Sequence, residues 1–231
     1  MTCKEFSEEF DILLNSYGIP TAFGQANPLL FDEYEKSLFL TKAQEAVVIQ
    51  LYSGKLLGQG FEETEELRMY LEALIKTESI EPTVGDGGLS KNSTFFKLPE
   101  DLLFRTYEAA ILQDDNSPCI NGKRVEVIPV TQDEYHRIKD NPFRGANNRR
   151  VLRVDCGEDV VELISEYNIS EYQLRYLSKP TPIILLDLPD DLTIDNESKE
   201  TECSLNPAIH RTILELAVSL AVKSKGIAGK S

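Results

Sequence analysis

The chain has 231 residues and carries 39 acidic against 24 basic side chains, a formal charge of -15, which argues against non-specific wrapping of nucleic acid. Trp is absent and only His136 and His210 supply imidazole, so a His-rich metal site is excluded, and Cys3, Cys119, Cys156 and Cys203 are too scattered for zinc or a redox dithiol. No apolar run approaches the roughly 20 residues that span a bilayer, and no cationic-then-apolar signal layout opens the chain, so free thiols in a cytoplasm and no membrane partner are expected.

Phe6, Phe10, Leu13, Leu14 and Tyr17 recur at helical spacing and predict a helix over 3–17, stopped by Gly18 and Pro20. Asn27 and Pro28 read as the cap and first position of a long second helix over 27–53 that ends at Gly54. Glu62, Glu63, Glu65 and Glu66 open a third helix over 61–79, where carboxylates meet the positive end of the dipole. Its stripe of Leu67, Tyr70, Leu71, Leu74 and Ile75 gives it one apolar face. Residues 1–84 hold 15 acidic and 6 basic side chains, so the acidity is concentrated in this helical layer.

Gly-rich polar text follows from Pro82 to Asn92. Beyond it, β-branched and aromatic runs predict strands at 94–98, 103–112, 124–130, 150–155, 160–166, 172–177 and 182–188. Hairpin turns at Asn121-Gly122 and at Cys156-Gly157-Glu158-Asp159 make a mostly antiparallel sheet the expectation. Asp190 to Cys203 is an acidic loop, and Asn206-Pro207 opens a last helix over 206–225, ended by Gly226. The expected class is therefore α+β: an N-terminal helical layer, a mostly antiparallel β-sheet and a C-terminal helix. The expected division is a helical part at 1–80, a linker at 81–92, a β part at 93–189 with a basic arm at 137–150, and an acidic loop and helix at 190–231.

Against the acidic background, the stretch from Val130 to Asp155 concentrates Arg137, Lys139, Arg144, Arg149, Arg150 and Arg153 around an Asn-Pro-Phe-Arg-Gly turn. Such an arm can touch another subunit, grip phosphates or stay solvated, and the residues leave all three open. Subunit contact leads on electrostatic grounds, because an acidic layer and a basic arm on one chain let identical copies dock head to tail and close a ring. Arg137, Lys139, Arg144, Arg149 and Arg150 are the candidate contact residues, with Phe143 as the apolar anchor at the tip. Charge reversal at Arg149 and Arg150 is expected to weaken assembly.

Enzymatic chemistry finds little footing. His136 sits beside Tyr135 and Asp133 with no Ser or Cys nucleophile tied to it by an elbow motif, and His210 has apolar neighbours and Arg211. The acidic groups at 62–66, 114–115 and 190–191 lack the spacing of a calcium loop, and no phosphate-binding or dinucleotide glycine motif occurs. No catalytic residue, metal or cofactor is expected. The Arg175-Tyr176-Leu177-Ser178-Lys179-Pro180-Thr181-Pro182 segment reads as a kinked crossing between two strands, with a partner-recognition motif as the less favoured alternative.

Three stretches in order, D-E-Y-H-R-I-K-D-N-P-F-R-G-A-N-N-R-R-V-L-R-V-D, Q-L-R-Y-L-S-K-P-T-P-I-I-L and N-P-A-I-H-R-T-I-L-E-L-A-V, resemble virion proteins of crAss-like tailed bacteriophages, as does Y-E-K-S-L-F-L-T-K-A-Q-E. Within such phages the chain looks like a ring or adaptor protein of the neck, between portal and tail. The resemblance implies a closed ring of copies, a dodecamer matching the portal, in contact with the portal protein and with other neck or tail rings. It also implies genomic DNA passing through the lumen without sequence-specific binding, and a place in the virion after synthesis in the bacterial host cytoplasm. It supplies no catalytic residues. The alternative reading is a DNA-binding accessory factor that grips phosphates with the basic loop, marked by steep salt dependence of duplex binding.

Overall fold

The computed structural model describes residues 1–16, 19–20, 26–27, 30–54, 65–85, 87–114, 117–157, 159–189 and 191–225, in two units: Met1–Leu74 with Lys179–Ser231, and Ile75–Ser178. In the first unit, Phe6, Phe10 and Leu14 fall four residues apart and line the buried face of helix α1 (Cys3–Ser16). A short antiparallel pair follows, β1 (Ile19–Pro20) with β2 (Ala26–Asn27). Helix α2 (Glu33–Tyr52) therefore starts later than expected, and Asn27 lies in a strand. The cap is Asp32, whose carboxylate accepts from the Glu35 amide at 2.7 Å while the Glu35 carboxylate accepts from the Asp32 amide at 3.2 Å. This reciprocal box satisfies two free amides where an Asn-Pro start satisfies fewer.

Two stripes of α2 are buried. Leu40, Ala43, Val47, Val48 and Leu51 are apolar, whereas Ser37, Thr41 and Gln44 form a second, polar stripe at helical spacing. The third helix is short: α3 (Glu65–Leu71) passes through one 3-10 turn, Glu72–Leu74, and leaves the helical conformation at Ile75. Residues 75–79, expected as its last turns, belong instead to strand β3 (Ile75–Ile80), paired from Ile75↔Leu177 to Ile80↔Tyr172 with a strand of the second unit. Six ladder positions outweigh the weak helical preference of Ile-Lys-Thr-Glu-Ser-Ile. The expected start of that helix at 61–64 lies outside the described residues.

The second unit adds β4 (Ser93–Lys97), β5 (Leu102–Gln113), β6 (Lys123–Pro129), helix α4 (Gln132–Ile138), β7 (Arg150–Gly157), β8 (Val160–Ile164) and β9 (Asn168–Ser178). The sheet runs β3-β9-β5-β6-β7-β8-β4, antiparallel throughout except for the parallel pair β6 and β7. Phe96 on edge strand β4 lies 5.4 Å, ring to ring, from Tyr172 on β9, so the sheet curls until its inner face closes on one core. Alternate residues fill that core: Ala110 and Leu112, Val125 and Val127, Val161 and Leu163, Tyr172, Leu174 and Tyr176. Gly122 and Gly157, with φ of 76° and 85°, supply the left-handed positions of the β5–β6 and β7–β8 turns.

The expected linker is tied to the sheet, with the Thr83 amide donating to the Phe95 carbonyl at 2.7 Å and the Leu89 amide to the buried Glu162 carboxylate at 2.6 Å. The strand expected at 182–188 is not part of the sheet either. It makes an isolated bridge, Ile184↔Thr201, and the backbone at 181–185 is met by the polar stripe of α2. Thr41 Oγ1 accepts from the Ile183 amide (3.1 Å) and donates to the Ile183 carbonyl (3.3 Å); Ser37 Oγ accepts from Leu185 N (3.0 Å); Gln44 Nε2 donates to Thr181 O (2.7 Å). A turn capped by Asn206 then leads into α5 (His210–Ser224), whose Ile213, Leu214, Ala217, Val218 and Ala221 are buried.

Candidate assembly surface

The parallel pair β6 and β7 requires a crossover, because a tight turn cannot join parallel strands. Here α4 and the basic arm make that crossover. Thr131 caps α4 by accepting from the Glu134 amide at 3.2 Å. Tyr135 and Ile138 bury against Leu152, Val154 and Ile164 on the outer face of the sheet, which leaves Arg137 and Lys139 exposed.

Beyond α4 the arm is held by its own bonds. The Asn141 carboxamide oxygen accepts from the Phe143 amide (2.9 Å) and the Arg144 amide (3.2 Å), and the Asn141 carbonyl accepts from Gly145 N at 2.7 Å. Gly145 is required by close approach, since a Cβ there would lie 2.9 Å from Asn141 O and 3.0 Å from Lys139 O. Asn147 repeats the device, its side chain accepting from Arg149 N at 2.9 Å while its backbone pairs with Arg150. Arg150 Nη1 donates to the Phe143 carbonyl at 2.7 Å, so this guanidinium braces the tip and is half-buried. Phe143 itself is 85 % exposed.

The six candidate residues thus lie on one segment, five of them exposed and Arg150 turned to a bracing role. No ion pair to a described residue holds Arg137, Lys139, Arg144, Arg149 or Arg150. Arg153, part of the same cationic stretch, is different. It shares the inner face of the sheet with Val151, is 6 % exposed, and donates to Glu108 Oε1 at 2.6 Å. The Tyr172 hydroxyl donates to the same carboxylate, and Arg105 reaches Asp155 at 3.1 Å. Burial, with the Glu108 charge beside it, holds the Tyr172 phenol far above its usual range. The one-in, one-out reading of Val151-Leu152-Arg153-Val154 is the signal that separates Arg153 from the arm.

His136 is exposed, and His210 is buried with Nε2 on the Leu205 carbonyl at 2.8 Å. Burial pushes the Cys3 thiol up to about 11 and raises Cys156 and Cys203 as well, the reverse of what a thiolate nucleophile needs. Among the described residues no group of three His, Cys, Asp or Glu side chains is placed to hold a metal ion, and no helix is long and apolar enough to cross a membrane.

A family model described as phage tail ring protein 3/4 matches residues 1–231. Ring protein 3 of Bacteroides phage crAss001 is 52 % identical over 228 residues, covering 97 % of this chain and 96 % of the relative. Ring protein 4/5 of the same phage is 33 % identical over 240 residues, covering 96 % and 92 % respectively. With a match that spans the whole chain, the helical unit and the curled sheet with its basic arm are those of a crAss-like phage structural protein, and the chain belongs to the phage tail ring protein 3/4 family.

Proposed function

We propose that this protein forms a closed homo-oligomeric ring, a dodecamer, in the neck of the virion, where it joins the portal to the tail around the DNA channel. The observation that carries the reading is the basic arm: largely exposed, braced by its own hydrogen bonds and without ion pairs to any described residue, on a chain whose relatives are named for rings. A surface loop with no task has little reason to spend two Asx turns and a bracing arginine on holding its cations in place. The arm bridges to the next copy, with Phe143 as apolar anchor and Arg137, Lys139, Arg144 and Arg149 as the charged rim. A net charge of -15 per copy also suits a channel lining that duplex phosphates slide past.

Gold-labelled antibody against the protein, imaged on intact virions, is expected to mark the junction of head and tail, and negative-stain images of the purified protein to show rings. Label on the shell or fibres would overturn the neck assignment. Tight duplex binding by the monomer, weakening steeply with salt, would replace it with the accessory-factor reading.

A further inference from the structure

The arm needs a negative counterpart on the neighbouring copy, and the helical layer, the acidic region most evident in the sequence, is a poor one. Several of its carboxylates already have partners: Lys36 pairs with Asp11 at 2.7 Å and with Glu33 at 3.0 Å, Lys4 with Glu8 at 3.7 Å, and Asp32 and Glu35 are used in the cap of α2.

The segment from Leu186 to Glu202 is different. It folds as a ribbon on the 183–188 segment, closed by the Ile184↔Thr201 and Ile194↔Glu197 bridges and by Leu188 N donating to Ser198 O at 2.7 Å. Asp195 and Asn196, with φ of 50° and 68°, make the left-handed turn at its tip. Seven acidic side chains and only one basic one, Lys199, lie between 187 and 202. Asp187, Asp191, Asp195, Glu197, Glu200 and Glu202 are exposed, and none forms an ion pair with a described residue. At its base Leu186 is 58 % exposed.

We infer that this acidic ribbon is the socket that receives the basic arm of the next copy, Arg144 and Arg149 meeting the ribbon carboxylates and Phe143 packing on Leu186. Three complementary features support a second copy as the occupant. The arm at 137–150 carries five basic side chains and one acidic one, opposite in sign to the ribbon. Each projection is a preformed turn, so little ordering is lost on docking. Each presents one large exposed apolar side chain amid its charges, the layout of an anchored contact with a polar rim. Arm and ribbon are different surfaces, so the contact is heterologous and propagates from copy to copy, as a ring demands.

The inference rests on the ring reading, and the test separates the two. An arm variant (Arg144→Glu with Arg149→Glu) and a ribbon variant (Asp191→Lys with Glu197→Lys) are made in the full chain, all at exposed side chains. Each alone is expected to weaken self-association by roughly tenfold or more. Mixed together, the intact arm meets the intact ribbon and the reversed arm meets the reversed ribbon, so ultracentrifugation should show the mixture regaining rings of alternating copies. The four-fold variant, with both charges exchanged, should regain rings. If the arm variant loses assembly and the ribbon variant does not, the ribbon is not the socket, although the ring reading stands. If either variant lowers the unfolding midpoint without changing the mass, arm and ribbon meet within one chain and the inference falls. It falls too if the wild type stays monomeric and the mixed variants do not pair.

Discussion

At the scale of single residues, the most consequential side chain is Glu108, the acceptor that both Arg153 and Tyr172 share inside the curled sheet. Its side chain and that of Arg153 are 9 % and 7 % exposed, so neither charge has water to fall back on. Glu108→Ala is expected to cost about 3 kcal/mol in urea unfolding, since the buried Arg153 is then left with Asp155 alone, at 3.8 Å. Glu108→Leu with Arg153→Met should recover part of that loss, because the buried cation is gone while the Tyr172 hydroxyl still lacks its acceptor. A double variant no more stable than the single would mean that the ionic cluster holds the sheet in some further way. His210 offers a second test. Burial, the largest cause, lowers its pKa, so the folded state resists a proton that the unfolded state takes up at about 6.5. The unfolded chain therefore binds more protons below that pH, and stability is complete above about 6.5 and falls as the pH drops toward the depressed folded value. Thermal midpoints from pH 7.5 to 5.5 should decline in the wild type and flatten in His210→Gln.

At the scale of elements, helix α2 organises its unit through a polar stripe. Thr41→Val keeps the shape but leaves the Ile183 amide and carbonyl buried without their partner, at an expected cost of about 1 to 3 kcal/mol in chemical denaturation. A neutral result would mean that 181–185 can find other donors. This stripe also shows where sequence reasoning reached its limit. The apolar run Pro182–Leu188 is rich in strand formers, and nothing local says whether its ladder partner is a sheet or a row of helix side chains. Ser37, Thr41 and Gln44 at helical spacing, beside the apolar stripe of the same helix, were the visible signal. Ile75–Ile80 was hidden for the opposite reason: Ile75 completes the apolar stripe of α3 while its pairing partner lies about a hundred residues away on β9. The hairpins were legible because Asn121-Gly122 and the turn before Val160 encode their own left-handed geometry, independent of distant contacts. Of the surface residues, the arm stood out by charge alone. The bracing role of Arg150 and the inward turn of Arg153 needed the strand register to be seen.

At the scale of the whole molecule, charge sets two opposing forces on assembly. The unit formed by 1–74 and 179–231 carries 21 acidic and 11 basic side chains, and the unit at 75–178 carries 18 and 13, so every copy repels every other at long range. The arm works only at contact distance. Ionic strength separates the two ranges, because the screening length is about 30 Å at 0.01 M, about 10 Å at 0.1 M and about 3 Å at 1 M salt. Near 0.01 M the net repulsion reaches across a neighbouring copy and should hold copies apart. Near 0.1 M it is damped beyond the first shell while ion pairs within about 4 Å persist. Toward 1 M those pairs are screened too. The mean mass from light scattering is therefore expected to rise and then fall along a salt series, with its maximum near physiological strength. A mass that only climbs with salt would assign the contact to apolar burial around Phe143 rather than to the charges of the arm, since salt strengthens the first and weakens the second. Arg149→Glu should lower the maximum, because the maximum reflects the contact, and depress the low-salt limb further, because the same change takes the net charge from -15 to -17.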